Sequence, residues 1–242
     1  MKRLIDLLAS AAALILLSPL LLPVMFLIWR QDRHSPFYIA PRTGRHEQQF
    51  RMVKLRSMIM NADRSGVDST AANDRRITPI GQFVRRYKLD ELTQLWNVFK
   101  GDMSLVGPRP NVARETQMYT AQEKRLLSVR PGITDYASIV FADEGEILKE
   151  YADPDIAYNQ LIRPYKGELG LFYIDHASVA LDLKLIWLTV VAIASRAAAL
   201  AAVVRDLQRR GAPAGLLKVA ARQSPLQPAP PPGADRIVTE RY

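Results

Sequence analysis

The first apolar stretch of the chain covers residues 4–29, and Asp6 is its only charged position. Basic residues stand on both sides of it: Lys2, Arg3, Arg30 and Arg33. About 20 consecutive apolar residues are enough for a helix to cross a bilayer. A cleaved signal peptide has a shorter apolar region that ends in small residues, whereas this stretch ends in bulky ones. The pattern therefore predicts a membrane helix over residues 1–30.

Two prolines interrupt this helix and bear on its topology. Ser18-Pro19 lies near its middle and Pro23 follows four residues later. Each proline removes a backbone donor and clashes with the preceding turn, so we expect a kink or a break, with Ser18 satisfying a freed carbonyl. Basic residues at both ends favour keeping both ends in the cytoplasm. A re-entrant hairpin satisfies both observations, and a kinked single span is the alternative.

Mixed polar and apolar positions over residues 31–182 predict a small globular domain. Alternation over 37–40 and 50–55 predicts two short strands around a polar turn. Apolar residues at helical spacing predict helices over 80–87, 92–99 and 120–129, with Trp96 and Phe99 in the core. Residues 61–74 are expected to form a polar loop.

A second apolar stretch begins at residue 183, and its middle carries Arg196. An Arg at the centre of a spanning helix costs roughly 2.5–3.5 kcal/mol on insertion scales. An interfacial amphipathic helix over 183–210 is therefore favoured over a second span. A buried helix of the globular domain is the alternative. The Pro- and Ala-rich remainder, 211–242, is expected to be disordered.

The net charge is +9, from 33 Lys and Arg against 24 Asp and Glu. Such an excess attracts an anionic partner: nucleic acid, a phospholipid surface or a phosphorylated small molecule. No nucleic-acid-binding motif is present, which disfavours the first. The absence of cysteine excludes disulfides and thiolate metal sites, and the three histidines lack metal-ligand spacing.

The residues most suggestive of chemistry lie between 85 and 110. Asp90 and Glu91 stand where an amphipathic helix is expected to begin, and Arg109 lies in a Gly-Pro-Arg-Pro turn. Three cations precede the acids: Arg85, Arg86 and Lys88. Mg²⁺ prefers one or two carboxylates together with substrate phosphates, and Arg binds phosphate through paired donors. The segment therefore predicts phosphoryl chemistry, although Asp90 is equally suited to be an N-cap.

This segment resembles the core motif of the bacterial sugar transferases, the monotopic phosphoglycosyl transferases. The resemblance extends over about residues 1–195 and includes other motifs: Ser18-Pro19, the stretch 37–58 with Arg42, Gly44 and Lys54-Leu55-Arg56-Ser57-Met58, Arg130-Pro131-Gly132-Ile133-Thr134, and Leu181-Asp182-Leu183-Lys184. It implies a mostly helical α/β monotopic membrane protein. Its parts would be a re-entrant helix over 1–30, a catalytic domain over 31–182 and an interfacial helix over 183–210.

The resemblance also implies a reaction. Asp90 would attack the β-phosphate of a UDP-sugar, UMP would leave, and undecaprenyl phosphate would attack the aspartyl-phosphosugar. This is the initiating step of exopolysaccharide, O-antigen, capsule or glycoprotein glycan synthesis. Glu91 would assist Asp90, both would bind Mg²⁺, and Lys54, Arg109 and Asp182 would complete the catalytic group. Further cations are expected to bind substrate: Arg42, Arg56, Arg85 and Arg130.

For four of these residues the sequence allows a structural role instead. Lys54 and Arg56 would then belong to an exposed strand face, Arg109 to a solvated turn, and Asp182 to a helix N-cap.

Some positions depart from the family pattern. Residues 135–142 replace a usual Gly-Trp-Ala-Gln-Val-Asn-Gly-Arg, Gly170 stands where an Asp is common, and Thr93 replaces Pro or Leu. The first two changes point to a sub-branch with its own donor. The resemblance implies a place in the bacterial inner membrane, with the catalytic domain on the cytoplasmic face, and permits a homodimer. A catalytically inactive scaffold of polysaccharide assembly is the remaining alternative.

Overall fold

Helices dominate the computed structural model, which describes residues 1–62, 70–71 and 73–240. In these ranges the α-helices are α1 (Lys2–Asp32), α2 (Pro79–Arg86), α3 (Leu89–Leu92), α4 (Leu95–Lys100), α5 (Ala113–Gln117), α6 (Tyr136–Val140), α7 (Glu144–Leu148), α8 (Pro154–Leu161), α9 (Arg163–Asp175), α10 (Val179–Ala194), α11 (Arg196–Arg209) and α12 (Ala214–Ala221). The strands are β1 (Phe37–Thr43), β2 (Gln49–Leu55), β3 (Ser104–Val106) and β4 (Gly132–Thr134). The expected mostly helical composition is confirmed. Residues 63–69 and 72 of the expected polar loop lie outside the described residues.

The N-terminal helix is continuous, so the break expected at Pro19 is absent. α1 retains helical geometry through Pro19 and Pro23. Pro19 has no N–H to donate to the carbonyl of Ile15, four residues earlier. The Ser18 hydroxyl donates to that carbonyl instead, at 2.7 Å. The expected role of Ser18 is therefore confirmed.

Both ends of α1 are held by the same globular domain. Near its start, the buried Asp6 accepts hydrogen bonds from the Ser104 hydroxyl at 2.9 Å and the Leu105 amide at 3.0 Å. Near its end, apolar residues of α1 pack against β2, α2 and α3: Leu21, Val24 and Ile28 against Leu55, Val84 and Leu89. The helix is long and apolar enough to cross a membrane, and only 17% of its most apolar window is buried.

Two small sheets organise the domain. β1 and β2 form the expected antiparallel hairpin, with Phe37 opposite Leu55, and the 3-10 helix Arg45–Glu47 makes the turn. β3 pairs in parallel with β4. At that junction a Cβ on Gly132 would lie 2.1 Å from the Gly107 nitrogen, so the close approach of the two backbones requires glycine.

The residues expected to form one helix over 92–99 are divided between two short helices, α3 and α4. On α4 the buried positions are Leu95, Asn97 and Val98. Trp96 is 48% exposed and Phe99 38%, and their rings stack on each other at 5.8 Å. The expectation that these aromatics lie in the core is wrong, because the face that packs inward is offset from them. The helix expected over 120–129 is the shorter 3-10 helix Glu123–Ser128.

The main core lies among α6, α8, α9, α10 and α11. The expectation of a single helix over 183–210 is wrong, because the helix is interrupted at Ser195. The Ser195 side chain caps the next helix, α11, by accepting from the Ala198 amide. Arg196 therefore begins a helix and pairs with Asp143 at 2.7 Å. One face of α10 enters the core, as the buried-helix alternative required. Its other face exposes four large apolar residues: Leu183, Trp187, Val190 and Ile193.

The expectation of a disordered tail over 211–242 is wrong as far as residue 240, the last one described. α12 buries Leu216 and Ala220 against the main core. Beyond it, the Ala229 amide donates to the Gln160 carbonyl at 3.0 Å, and the Gln160 side chain donates to the Val238 carbonyl at 2.7 Å. Prolines make such docking less costly, because they limit the conformational entropy of the unfolded chain.

Candidate active site

Four predicted residues from three segments meet beside β2. Lys54 comes from β2, Asp90 and Glu91 from α3, and Arg109 from the loop after β3. The Lys54 Nζ lies 3.9 Å from Asp90 Oδ2. Arg109 donates to both carboxylate oxygens of Glu91, at 2.6 and 3.2 Å. The structure thus brings the two acids together with two cations suited to phosphate.

Local packing positions the acid pair. Leu89 is buried, and the Thr93 hydroxyl donates to the Val53 carbonyl at 3.2 Å, which ties α3 to the strand that carries Lys54. Lys88, whose backbone φ is 55°, in the left-handed region, is the N-cap of α3. Asp90 is therefore the second residue of α3, not its N-cap, and the capping interpretation is wrong.

The four charges shift one another's pKa values. Burial raises the pKa of Glu91, but the charges of Arg109 and Lys54 outweigh it and lower that pKa to about 2. Burial, assisted by the charge of Arg109, lowers the pKa of Lys54 to about 8, against the opposing pull of Asp90 and Glu91. The negative charge of Glu91 raises the pKa of Arg109. At neutral pH the acid Glu91 is ionised and both cations are charged.

The two carboxylates differ in their availability to a metal. Arg109 occupies both oxygens of Glu91, whereas among the described residues the Asp90 carboxylate has only the longer contact with Lys54. Across the described part of the chain, no three His, Asp or Glu side chains cluster as metal ligands. The donor set therefore fits Mg²⁺ held by one carboxylate and by substrate phosphates, the arrangement that Mg²⁺ favours.

Arg42 and Arg56 lie on the hairpin but differ in role. The charge of Arg42 contributes to the lowered pKa of Lys54, which places it within electrostatic reach of the acid site. Arg56 is buried and donates to both oxygens of Asp32, at 2.6 and 2.7 Å, and to the Ser35 carbonyl at 2.8 Å. Two of its donor nitrogens hold the last residue of α1 and the third holds the segment that follows it, which leaves little to support the predicted substrate contact.

Three other predicted site residues make contacts elsewhere. Asp182 accepts from Lys2 Nζ and the Tyr173 hydroxyl, each at 2.6 Å, and so anchors the start of α1 to α10. It is not an N-cap either, because Ser178 caps α10. Arg130 donates to the Gly101 carbonyl at 2.9 Å. Arg85 lies on α2, where its charge contributes to the lowered pKa of Asp74.

Comparison with known proteins identifies the family of this chain. A sequence model of the bacterial sugar transferases matches residues 1–196, which include all four residues of the acid site. The chain belongs to the bacterial sugar transferase family.

Two relatives in this family are named for sugar transfer to a lipid carrier. The UDP-N-acetylgalactosamine-undecaprenyl-phosphate N-acetylgalactosaminephosphotransferase of Aeromonas hydrophila is 33% identical over 78% of this chain. The undecaprenyl-phosphate glucose phosphotransferase of Komagataeibacter xylinus is 36% identical over the same share. The chain spans only 42% and 35% of the lengths of these two relatives. It spans 85% of the uncharacterized sugar transferase EpsL of Bacillus subtilis, at 34% identity.

A cleft that the sequence did not reveal adjoins the acid site of this sugar transferase. Arg109 forms part of its wall. Two further cations line it: Arg163, which donates to both oxygens of Glu123, and Lys166, which pairs with Glu144. In the sequence, the only sign of this cleft is the pair of cations within residues 163–166.

Asp135, the first residue of the segment that departs from the family pattern, also lines this cleft. Its carboxylate accepts from the amide and hydroxyl of Ser138, both at 2.7 Å, and caps α6. Burial raises the pKa of Asp135. Arg109 thus joins the acid site to a cleft that the departing segment helps to line.

Proposed function

We propose that this protein is a phosphoglycosyl transferase that moves a phosphosugar from a UDP-sugar to undecaprenyl phosphate. The observation that carries the proposal is the juxtaposition of Asp90 with Lys54 at 3.9 Å, beside an Arg109 held by Glu91. Two relatives are named as undecaprenyl-phosphate phosphotransferases. The reaction exchanges one phosphoanhydride for others, so it requires no external energy source.

In the first half-reaction a carboxylate oxygen of Asp90 attacks the β-phosphorus of the donor. The bond from that phosphorus to the bridging oxygen breaks, and UMP leaves with the bonding electron pair. Lys54 and Arg109 offset the charge of the transferring phosphate, and Glu91 keeps Arg109 oriented. A Mg²⁺ ion on Asp90 and the diphosphate would add further charge neutralisation; Glu91 would join it only by releasing Arg109.

In the second half-reaction a phosphate oxygen of undecaprenyl phosphate attacks the same phosphorus. The acyl-phosphate bond breaks, and Asp90 regains its carboxylate. The product is an undecaprenyl diphosphate sugar. Because the leaving group is a carboxylate, no proton has to be supplied to it, and ionised Asp90 is ready for another cycle.

The acceptor phosphate lies at a membrane surface, so the site has to be held there. Both ends of α1 are bound to one domain, which favours a helix that enters the bilayer and keeps both ends on one face. The exposed apolar residues of α10 provide a second contact with lipid, in place of the interfacial helix expected over 183–210. Anionic lipid would add about 1 kcal/mol for each well-placed Lys or Arg. This arrangement supports a site on the cytoplasmic face of the bacterial inner membrane.

The first test compares wild type with Asp90→Asn in lipid discs containing undecaprenyl phosphate and Mg²⁺. We expect wild type to release UMP from one member of a UDP-sugar panel, and Asp90→Asn to lose at least about 10³-fold in rate, as expected when a nucleophile is removed. Asp175→Asn is the matched control, since Asp175 is half exposed and pairs with Arg125.

A radiolabelled donor sugar tests the covalent intermediate. Without acceptor, wild type and Asp175→Asn should retain label that hydroxylamine releases, and Asp90→Asn should retain none. Turnover by Asp90→Asn at the wild-type rate would rule out this mechanism. A folded wild type that releases no UMP from any donor would favour the inactive scaffold.

A further inference from the structure

The end of the chain, beyond the region matched by the family, lies along the outside of the domain. We call residues 226–238 the C-terminal strap. The Tyr165 hydroxyl donates to the Gln227 carbonyl at 2.7 Å. The Ala229 amide and the Val238 carbonyl both bond to Gln160, at 3.0 and 2.7 Å. Contacts with α8 and α9 therefore hold the strap near both its ends.

The middle of the strap is its most tightly packed part. Pro231 and Pro232 are buried. The Thr120 hydroxyl donates to the Pro232 carbonyl. On α9, a Cβ added to Gly167 would lie 2.8 Å from Pro232 Cγ and 3.1 Å from its Cδ. The absence of a side chain at Gly167 is thus what admits the proline ring.

The residues that the strap contacts adjoin or line the cleft beside Arg109. Gly167 lines it, as do Glu123 and Arg163. Thr120 accepts from the Glu123 amide and donates its own amide to the Glu123 carboxylate, each at 3.0 Å. Glu123 in turn holds Arg163 through two bonds of 2.9 Å, in a pair that is almost fully buried. One chain of contacts therefore runs from Pro232 to the wall of the cleft that Arg109 also lines.

We propose that the C-terminal strap is a positioning segment that fixes the outer wall of the cleft for the donor. Pro232 holds Thr120 and α9, which hold Glu123 and Arg163 at a set separation from Arg109. The catalytic consequence rests on the proposed function, with the sugar nucleotide as the molecule in the cleft. Because the strap touches the cleft wall and not the acid pair, loosening it weakens donor binding more than it slows the chemical step.

The test uses the full chain with Gly167→Ala, Pro232→Ala and the double variant. The new methyl group of Gly167→Ala collides with the Pro232 ring, and Pro232→Ala removes the ring atoms it would meet. Gly215→Ala is the matched control, because a Cβ there meets nothing within 4 Å. Hydrogen exchange is followed at the strap amides Ala229 and Ala234 and across Glu123–Ser128. KM and kcat for the UDP-sugar are measured in parallel.

We expect Gly167→Ala to speed exchange in the strap and in Glu123–Ser128, and to raise KM by roughly five- to tenfold, the scale of one lost hydrogen bond. The double variant should recover most of both effects. Strap release without change in Glu123–Ser128 or KM would overturn the proposal, as would a KM effect that Pro232→Ala fails to rescue. A wild type without turnover would contradict the proposed function alone, because hydrogen exchange measures the effect of the strap on Glu123–Ser128 without requiring catalysis.

Discussion

At the scale of single residues, Lys54 is the group most sensitive to its surroundings. Its side chain is 22% exposed, and it lies close to both carboxylates and to the guanidinium of Arg109. Burial and that guanidinium disfavour the ammonium form, which the acids restore only in part. The cation proposed to offset the charge of the transferring phosphate is therefore close to losing its proton at a pH only slightly above neutral.

A pH profile tests this state. The pKa of Lys54 falls from an ordinary 10.5 to about 8, so its positive charge is present below that pH and is lost as the pH rises through it. We expect kcat/KM for UMP release to decline above about pH 8. Lys54→Arg should remove that decline because Arg stays charged, even if its activity is lower overall. The same decline in Lys54→Arg would assign it to another group.

The predictability of individual residues depended on whether their partners were near in sequence. The segment from Asp90 to Arg109 predicted phosphate chemistry from residues near one another in sequence, and the structure brings Asp90, Glu91 and Arg109 together. Arg56 and Asp182 carried the same family signal, yet their partners are Asp32 and Lys2, at opposite ends of α1. Nothing in local spacing reveals a partner 180 positions away. Such pairs are decided by tertiary packing.

At the scale of elements, α1 is an apolar helix attached to the domain by a few polar residues. Among them, Arg3 donates to the carbonyls of Val98 and Phe99 at the end of α4, at 2.5 and 2.7 Å. These carbonyls belong to the last turn of α4, where the helix itself leaves carbonyl groups unsatisfied; the Val98 carbonyl also accepts from the Gly101 amide, at 3.1 Å. The polar first turns of α1 therefore complete another element of the domain.

The anchoring role of Asp182 leads to a prediction about coupling. Lys2→Met and Asp182→Asn should each lower thermal stability, and the double variant should lose less than their sum, because both remove one ion pair. We expect a coupling energy of about 0.5–1 kcal/mol, since Lys2 is partly exposed. The thermal unfolding midpoints of wild type, the two single variants and the double variant, measured in one detergent, supply this double-mutant cycle. Full additivity, with activity lost only in Asp182→Asn, would instead support a catalytic Asp182.

Asp6 provides a second test of the attachment. Asp6→Leu makes α1 more apolar but leaves the buried Ser104 hydroxyl and Leu105 amide without their acceptor. We expect a loss of about 1–3 kcal/mol, despite better membrane partition of the isolated segment. Asp6→Asn retains an acceptor oxygen and should lose less. Equal stability of Asp6→Leu and wild type, by thermal unfolding in detergent, would argue against this anchor.

Elements were predicted best where one pattern determined them. Alternation gave the β1–β2 hairpin, and helical spacing gave α2. Periodicity did not show the break at Ser195, because the apolar residues continue on both sides while the Ser side chain starts a new helix. The tail was expected to be disordered from composition alone, which ignores the backbone partners that α8 and α9 supply.

For the molecule as a whole, the main question is on which side of the membrane each end of α1 lies. The natural chain has no cysteine, so single cysteines can be placed at will. We expect a cysteine inserted after Met1 and a Gln31→Cys substitution to react with a membrane-impermeant maleimide from the cytoplasmic side only. Inverted vesicles and intact spheroplasts provide the two sides. Labelling of one end in spheroplasts would establish a single span.

The ion pair between Lys2 and Asp182 also dictates an order of events during synthesis. Its two residues are 180 positions apart, so the second leaves the ribosome roughly 10–40 s after the first, at 5–20 residues per second. During that interval the apolar helix has already emerged, whereas its partner on α10 does not yet exist. Docking of the start of α1 onto α10 therefore follows the synthesis of the helix as a separate, later step of assembly.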